Sequence, residues 1–383
     1  MNPRILILHA SIGGGHASAA NALQRAFAQR GVRDVVVQDV LEFGGKVLQR
    51  AVVGSYTMTS EKAPLLWKMF YESGDVSDPQ SAASKNKWRG RAERPMFALP
   101  LQRFVKKYAP DIIIGTHFMP LEILLPRKRK GKLGAPLYEV ITDFMISSDW
   151  IQNGVDAYFV ASELTRDAMI ARAVDPALIH VTGIPVKPEL AIEKNRADAR
   201  ARIGLNTEHL ITLLGGGIQS KRVRRVAQEL LKTDLRGTLV IVAGRNEELE
   251  QEIEDLRNGA TLRVLNLGFI DFVDDLIAAS DLVITKAGGL TVSEILARGT
   301  PMMIIDPIPG QEEWNADFVA GSGAGLQLRM AEMAPAAAVA LLREPARLES
   351  MRAQAKRVGK PNAALEIVDA ILKSFRSIKA PVV

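Results

Sequence analysis

Short apolar runs alternate along this chain with longer stretches of helical spacing. The first run is ILILH (Ile5–His9). A glycine loop follows, then ASAANALQRAF, whose apolar residues recur every three to four positions. That spacing predicts a helix over about Ala17–Arg30. Further runs predict strands at Val35–Val40, Asp111–His117, Leu137–Asp143, Ala157–Ser162 and Ile179–Gly183, with helical segments such as LPLQRFVKKY and SELTRDAMIARA between them. Strands apolar at nearly every position and separated by helices indicate a buried parallel sheet.

The pattern then restarts. TGIPVKPEL (Thr182–Leu190) sets two prolines between regular segments, a linker signal. Beyond it, ITLLGGG (Ile211–Gly217) repeats the strand-to-glycine opening, and GTLVIVAG, TLRVLNLGFI, DLVITKAGG and TPMMIIDP supply more strands. The expected fold class is α/β, with two facing Rossmann-like doubly wound domains and an interdomain cleft. The first domain takes residues 1–187 and the second 188–363; the helix and tail at 364–383 could cap either. Ligands bind such sheets at the carboxyl ends of the strands, so the loops there are where chemistry is expected.

The first such loop is Ser11-Ile12-Gly13-Gly14-Gly15-His16. It fits a dinucleotide fingerprint only partly: the third glycine position is Ser18, although an acid about twenty residues on is present as Asp39. No Gly-Lys-Ser/Thr tripeptide occurs, which sets a Walker-type NTPase aside. What remains is a glycine loop at a helix start, either a tight turn or a place where an oxygen-rich ligand meets bare backbone. His16 is either a structural histidine or a base near neutrality, able to accept a proton from a substrate hydroxyl. The second informative stretch is Asp281–Ala316. It reads as strand, Lys286, a Gly288-Gly289 turn, a helix opening at Thr291, a strand and a polar loop. Free N–H groups at Gly289, Leu290 and Thr291 would make an anion site at that helix start. Glu294 is placed either to accept ribose hydroxyls or to close a capping box with Thr291. Gln311 and Glu312, on the next strand-end loop, are groups that read sugar hydroxyls or belong to an ordinary solvated loop.

Composition adds bounds. At 383 residues the chain exceeds what one core usually serves. With no cysteine it has neither a disulfide framework nor a thiolate zinc site. MNPRILILHA enters a strand without the regions of a signal peptide, and no window approaches 18 uninterrupted apolar residues, so a cytoplasmic protein is expected. The net charge is +6, yet Lys85–Lys132 holds thirteen Lys/Arg against three acids. Trp88, Arg89, Arg91, Arg127, Lys128, Arg129 and Lys130 in this region suit an anionic membrane surface, unless the run is only a solvated face. No recognised nucleic-acid module accompanies the charge, so no nucleic-acid partner is expected.

SIGGGHASAANAL, TGIPVKPEL and KAGGLTVSEILARGTPMMIIDPIPGQEEWNA, in that order, resemble glycosyltransferase family 28. The likeness is to its branch of monogalactosyldiacylglycerol synthases and processive diacylglycerol glucosyltransferases, and it covers nearly the whole chain. It implies a GT-B fold, a UDP-sugar donor as co-substrate and a glycerolipid acceptor. It also implies an inverting hexosyl transfer, of glucose or galactose, at the inner face of the cell membrane. By the same resemblance His16 serves acceptor binding and catalysis, beside the Gly13, Gly14 and Gly15 loop. Lys187 approaches the donor diphosphate, Gly215, Gly216 and Gly217 face it, and Phe269 and Ile270 hold uracil. Gly288, Gly289, Leu290 and Thr291 bind phosphate, Glu294 the ribose, and Gln311 with Glu312 the sugar. Asp143 is the expected alternative base or orienter of His16. No Asp-x-Asp pair or ligand cluster occurs, so no metal is expected to be required. The departure from the family pattern is Ser147, where the family carries a histidine. Two alternatives are a transferase of UDP-N-acetylglucosamine in the peptidoglycan branch and a non-catalytic homologue that binds UDP-sugars.

Overall fold

The computed structural model describes residues 2–45, 54 and 94–379. The chain divides into two compact units. One takes Met1–Glu189, Pro309–Gln311 and Asn362–Val383, and the other Leu190–Ile308 and Glu312–Pro361. The division thus falls two residues beyond the expected boundary at Lys187.

In the first unit six strands form one parallel sheet: β1 (Ile5–His9), β2 (Val35–Asp39), β3 (Ile112–Gly115), β4 (Leu137–Val140), β5 (Ala157–Val160) and β6 (Ile179–Val181). Their spatial order is β2-β1-β3-β4-β5-β6. Leu6, Leu8 and Ile113 enter the core on one face, and Ile5, Ile7, Ile112 and Ile114 enter it on the other. This two-sided burial is why these strands read as unbroken apolar runs. Helix α1 (Gly15–Gln29) covers the second face with Ala22, Leu23, Ala26 and Phe27. Helices α2 (Arg94–Tyr108) and α3 (Phe118–Arg129) cover the first.

The second unit repeats the plan with β7 (His209–Leu214), β8 (Gly237–Val242), β9 (Leu262–Leu267), β10 (Leu282–Thr285), β11 (Met302–Ile305) and β12 (Gly325–Leu328). Their order, β12-β11-β10-β7-β8-β9, is that of a doubly wound nucleotide-binding sheet. The helices that bear on the site are α4 (Ser220–Leu231), α5 (Gly289–Ala297) and α6 (Gln311–Ser322). The last helix, α7 (Ala363–Lys379), belongs to the first unit. Its Ala364, Ile367, Val368, Ile371, Leu372 and Phe375 recur at helical spacing and are buried with α1. Arg30 grips Asp369 with two bonds of 2.7 Å.

Several strands end earlier than their apolar runs predict. Thr116 and His117, Ile141 to Asp143, Gly215 to Gly217, and Phe269 with Ile270 all lie beyond the last strand residue. After β3 and β4 the first loop residues are themselves buried, Ile141 completely so, which extends the run past the strand. Each sheet reverses its strand order once, at β1/β3 and at β7/β10. Neighbouring strand ends send their chains to opposite sides there, leaving a crevice at the carboxyl edge.

Candidate active site

At the β1/β3 crevice the glycine loop meets residues from far along the chain. Gly13 has φ of +83°, a left-handed conformation that other residues adopt at a cost. At Gly14 and Gly15 an added Cβ would meet nothing within 4 Å, so these two leave open space rather than relieve crowding. Asp39 pins the loop: its Oδ1 accepts from Ser11 N–H at 3.2 Å and Leu41 N–H at 2.9 Å. The acid that resembled a ribose ligand of a dinucleotide fold is thus a buried strut. Helix α1 starts at Gly15, two residues earlier than predicted, which puts His16 inside its first turn.

His16 Nδ1 lies 2.8 Å from the carbonyl oxygen of Thr116 and 2.9 Å from Thr142 Oγ1. Thr116 Oγ1 donates in return to the His16 carbonyl at 2.9 Å. A carbonyl only accepts, so Nδ1 carries the ring proton and Nε2 keeps its lone pair. Burial pushes the His16 pKa down to about 4, with the Thr116 bond opposing the fall and His9 reinforcing it. The ring is neutral at pH 7. These orienting bonds come from Thr116 and Thr142, the residue before Asp143, and not from the Asp143 carboxylate expected to supply them.

His117 stands beside His16, their ring centroids 4.6 Å apart and their planes at 79°. It caps α3, its Nδ1 accepting from Met119 N–H at 3.1 Å. Burial, with the His16 and His9 imidazoles nearby, holds its pKa well below the usual value. Trp150 lies 6.3 Å from His16 and 6.1 Å from His117, with Phe118 edge-on to it at 5.7 Å. Ser147, where the family histidine is expected, is buried three residues before Trp150. The second imidazole at this site comes instead from the junction between β3 and α3.

The β7/β10 crevice of the second unit gathers the glycines and charges of both its loops. Gly215 is a packing residue, since a Cβ there would sit 2.7 Å from Leu249 and 3.2 Å from Val223. Gly217 is different: its Cβ would lie 2.6 Å from Lys286 Cε, so the lysine side chain runs directly over this glycine. Lys286 Nζ reaches Glu312 Oε1 at 3.0 Å, and Ile308 N–H donates to Glu312 Oε2 at 2.9 Å. Glu312 is buried at the start of α6 and Gln311 is its first residue, so both lie on the helix rather than on the strand-end loop expected of them. Asp306, in left-handed conformation with φ of +52°, turns the chain into that helix and pairs with Arg222 of α4.

Helix α5 is capped by Gly288 and begins at Gly289. Thr291 is therefore its third residue rather than its cap, and the capping box with Glu294 does not form. Gly289, Leu290 and Thr291 are the first-turn residues, whose N–H groups have no partner within the helix. No acid stands in that turn itself; the nearest carboxylate oxygen, Glu312 Oε1, would lie 3.9 Å from a Cβ at Gly288. Phe269 is two-thirds exposed past β9, with the Arg245 guanidinium 4.8 Å over its ring. Lys187 is exposed at the end of the first unit.

Of the expected membrane residues, Trp88, Arg89 and Arg91 lie outside the described residues. Lys128 is spent on Asp156, and its Nζ also donates to the Gly154 carbonyl at 3.0 Å. Arg127 donates to Gln102 Oε1 at 3.2 Å, tying α3 to α2. Arg129 donates to the Asn153 carbonyl at 3.0 Å but remains exposed, like Lys130 and Lys132. Within the same basic stretch, the outer face of α2 presents Leu99, Arg103, Lys106 and Lys107, exposed at helical spacing. Among the described residues no group of three or more His, Asp or Glu is placed to hold a metal ion, and no helix is long and apolar enough to cross a membrane.

Known folds repeat this plan. Acinetobacter baumannii MurG superposes with a TM-score of 0.63 at 19% identity, over 97% of this chain and 100% of that one. Anabaena Alr3699/HepE in complex with UDP-glucose gives 0.56 at 15%, over 97% and 99%. Two Rossmann-like units of this topology in one chain define a GT-B fold. In sequence, residues 16–186 match the monogalactosyldiacylglycerol (MGDG) synthase family and residues 210–367 the glycosyltransferase family 28 C-terminal domain. A processive diacylglycerol beta-glucosyltransferase of Bacillus cereus (strain G9842) is 31% identical over 377 residues, 97% of this chain and 94% of the relative. The chain belongs to this glycosyltransferase family.

Proposed function

We propose that the protein transfers a hexose, glucose in the first instance, from UDP-glucose to the hydroxyl of diacylglycerol or a related glycerolipid, with inversion to the β-glycoside. The observation that carries this reading is His16: a neutral imidazole at a strand-order crevice, its Nδ1–H tied to a carbonyl and its Nε2 lone pair left for a substrate proton. The names of the relatives support a glucosyl group and a diacylglycerol acceptor. As the acceptor oxygen bonds to C1 of the sugar, its proton passes to His16 Nε2. The C1–O bond to the diphosphate breaks, and its electron pair leaves on UDP.

The leaving charge is met by the first-turn N–H groups of α5 and by Lys286. That donor set supplies the electrophilic help a divalent ion would give, so transfer proceeds without a resident metal. Uracil meets the segment at Phe269 and Ile270, Glu294 the ribose, and Glu312 with Gln311 the sugar. The acceptor is drawn from an anionic membrane surface on the cytoplasmic side, through the exposed cations and Leu99 of α2 and α3.

The test is incubation with a panel of UDP-sugars and mixed lipids, with and without a chelator, followed by mass spectrometry of the lipid products. A mono-glucosylated glycerolipid is expected in both cases. His16→Ala should abolish it while UDP binding persists. Good UDP binding without transfer from any donor would overturn the reading.

A further inference from the structure

His16 and His117 have opposite hydrogen-bonding ends. The Thr116 carbonyl fixes the proton of His16 on Nδ1, leaving Nε2 an acceptor. The Met119 N–H occupies His117 Nδ1, which makes it the acceptor nitrogen and leaves Nε2–H as the donor. The rings meet edge to face at 4.6 Å, yet no hydrogen bond joins them. Among the described residues neither Nε2 has a hydrogen-bond partner, and neither is among the polar atoms sealed in the core without one. A hydroxyl group is both donor and acceptor, and so complements such a pair where an amine cation or a carboxylate would not.

We propose that His117 contacts the acceptor hydroxyl: its Nε2–H donates to the oxygen whose proton points at His16 Nε2. This rests on His16 being the base. During transfer the proton moves to His16 as the oxygen bonds to the anomeric carbon and UDP departs with the electron pair, while His117 keeps its proton. The contact aims the reacting lone pair and favours an anchored alcohol over water, which enters unaligned. His117 therefore governs how the donor is partitioned between lipid and hydrolysis, and its effect falls on acceptor KM more than on UDP affinity.

Two substitutions separate this role from helix capping. His117→Asn keeps an oxygen that can cap Met119 but withdraws the far donor. His117→Gln carries an N–H about where Nε2–H was and gives up the cap. The expected result is that His117→Asn melts like the unaltered protein, yet its ratio of lipid transfer to UDP-glucose hydrolysis falls about tenfold, the value of one hydrogen bond. His117→Gln melts lower and recovers the ratio. If both variants keep the ratio, or if the ratio follows the melting temperature, the proposal is overturned. Transfer by His16→Ala would sink the base assignment and this proposal together. A dead His16→Ala beside an unaffected His117→Asn would sink this proposal alone.

Discussion

Burial in the first unit disfavours the charged forms of both His16 and Glu139, and the two oppose each other in the dependence of stability on pH. Between pH 6.5 and about 4 the unfolded chain binds a proton that folded His16 refuses. Stability therefore falls as pH drops through that window, by up to about 3 kcal/mol for His16, with His9 and His117 shifted in the same direction. Glu139, in β4, is fully buried, and neither carboxylate oxygen has a hydrogen-bond partner. Burial pushes its pKa well above 4.5, so the folded chain keeps a proton that the unfolded chain releases above that pH. Here stability falls as pH rises. Glu139→Met removes only this second contribution. Urea unfolding should show it more stable than the unaltered protein at pH 8, by about 1–3 kcal/mol, and by much less at pH 5. An equal gain at both pH values would mean that the carboxyl is not protonated in the folded state.

At the scale of elements, the strand–loop–helix junctions decide the chemistry, and α5 makes this measurable. Its glycine cap supplies no side-chain hydrogen bond to the first-turn N–H groups, and Lys286 crosses Gly217 to reach Glu312. Lys286→Met should weaken UDP binding about tenfold or more in calorimetry through loss of a charge-assisted contact. It should also lower the melting temperature, because Glu312 is left buried and unpaired. Adding Glu312→Gln should restore the melting temperature without restoring UDP affinity. Recovery of both would reduce Lys286 to a structural partner. The sequence announces the glycines and α5 itself, since SIGGGH, ITLLGGG and KAGG each follow an apolar run. It does not announce Lys286, Thr116, Thr142 or His117 as site residues. Periodicity reports which face of an element is buried, not which strands are neighbours. His16 and Thr116 are 100 positions apart and meet only because β3 lies beside β1. Glu294 fails as a capping partner for a related reason: a glycine in the non-helical cap position starts α5 before the residue whose side chain reads as a cap.

At the scale of the whole molecule, the charge is unevenly distributed in a way that composition alone conceals. A net +6 would bind an anionic surface weakly if spread evenly. Instead Lys85–Lys132 carries +10, so the remaining chain sums to −4. The structure narrows this further, since Lys128 is neutralised by Asp156 and contributes no free charge. What remains outward among the described residues is Arg103, Lys106 and Lys107 beside Leu99 on α2, with Arg129, Lys130 and Lys132 on and after α3. Each such cation near an anionic leaflet contributes about 1 kcal/mol, falling off within a Debye length. Sedimentation with vesicles containing phosphatidylglycerol should therefore exceed that with neutral vesicles and should weaken as salt is raised. Reversing Arg103, Arg129 and Lys130 to Glu should reduce it about tenfold or more, while Lys128→Glu should act mainly on thermal stability by breaking its pair. Transfer to a short-chain, water-soluble acceptor should survive the triple reversal, because in the proposed function these cations serve the lipid surface and not the reacting groups. If the reversal left vesicle binding intact, the cations would be an ordinary solvated face, and delivery of the acceptor would rest on apolar contact alone.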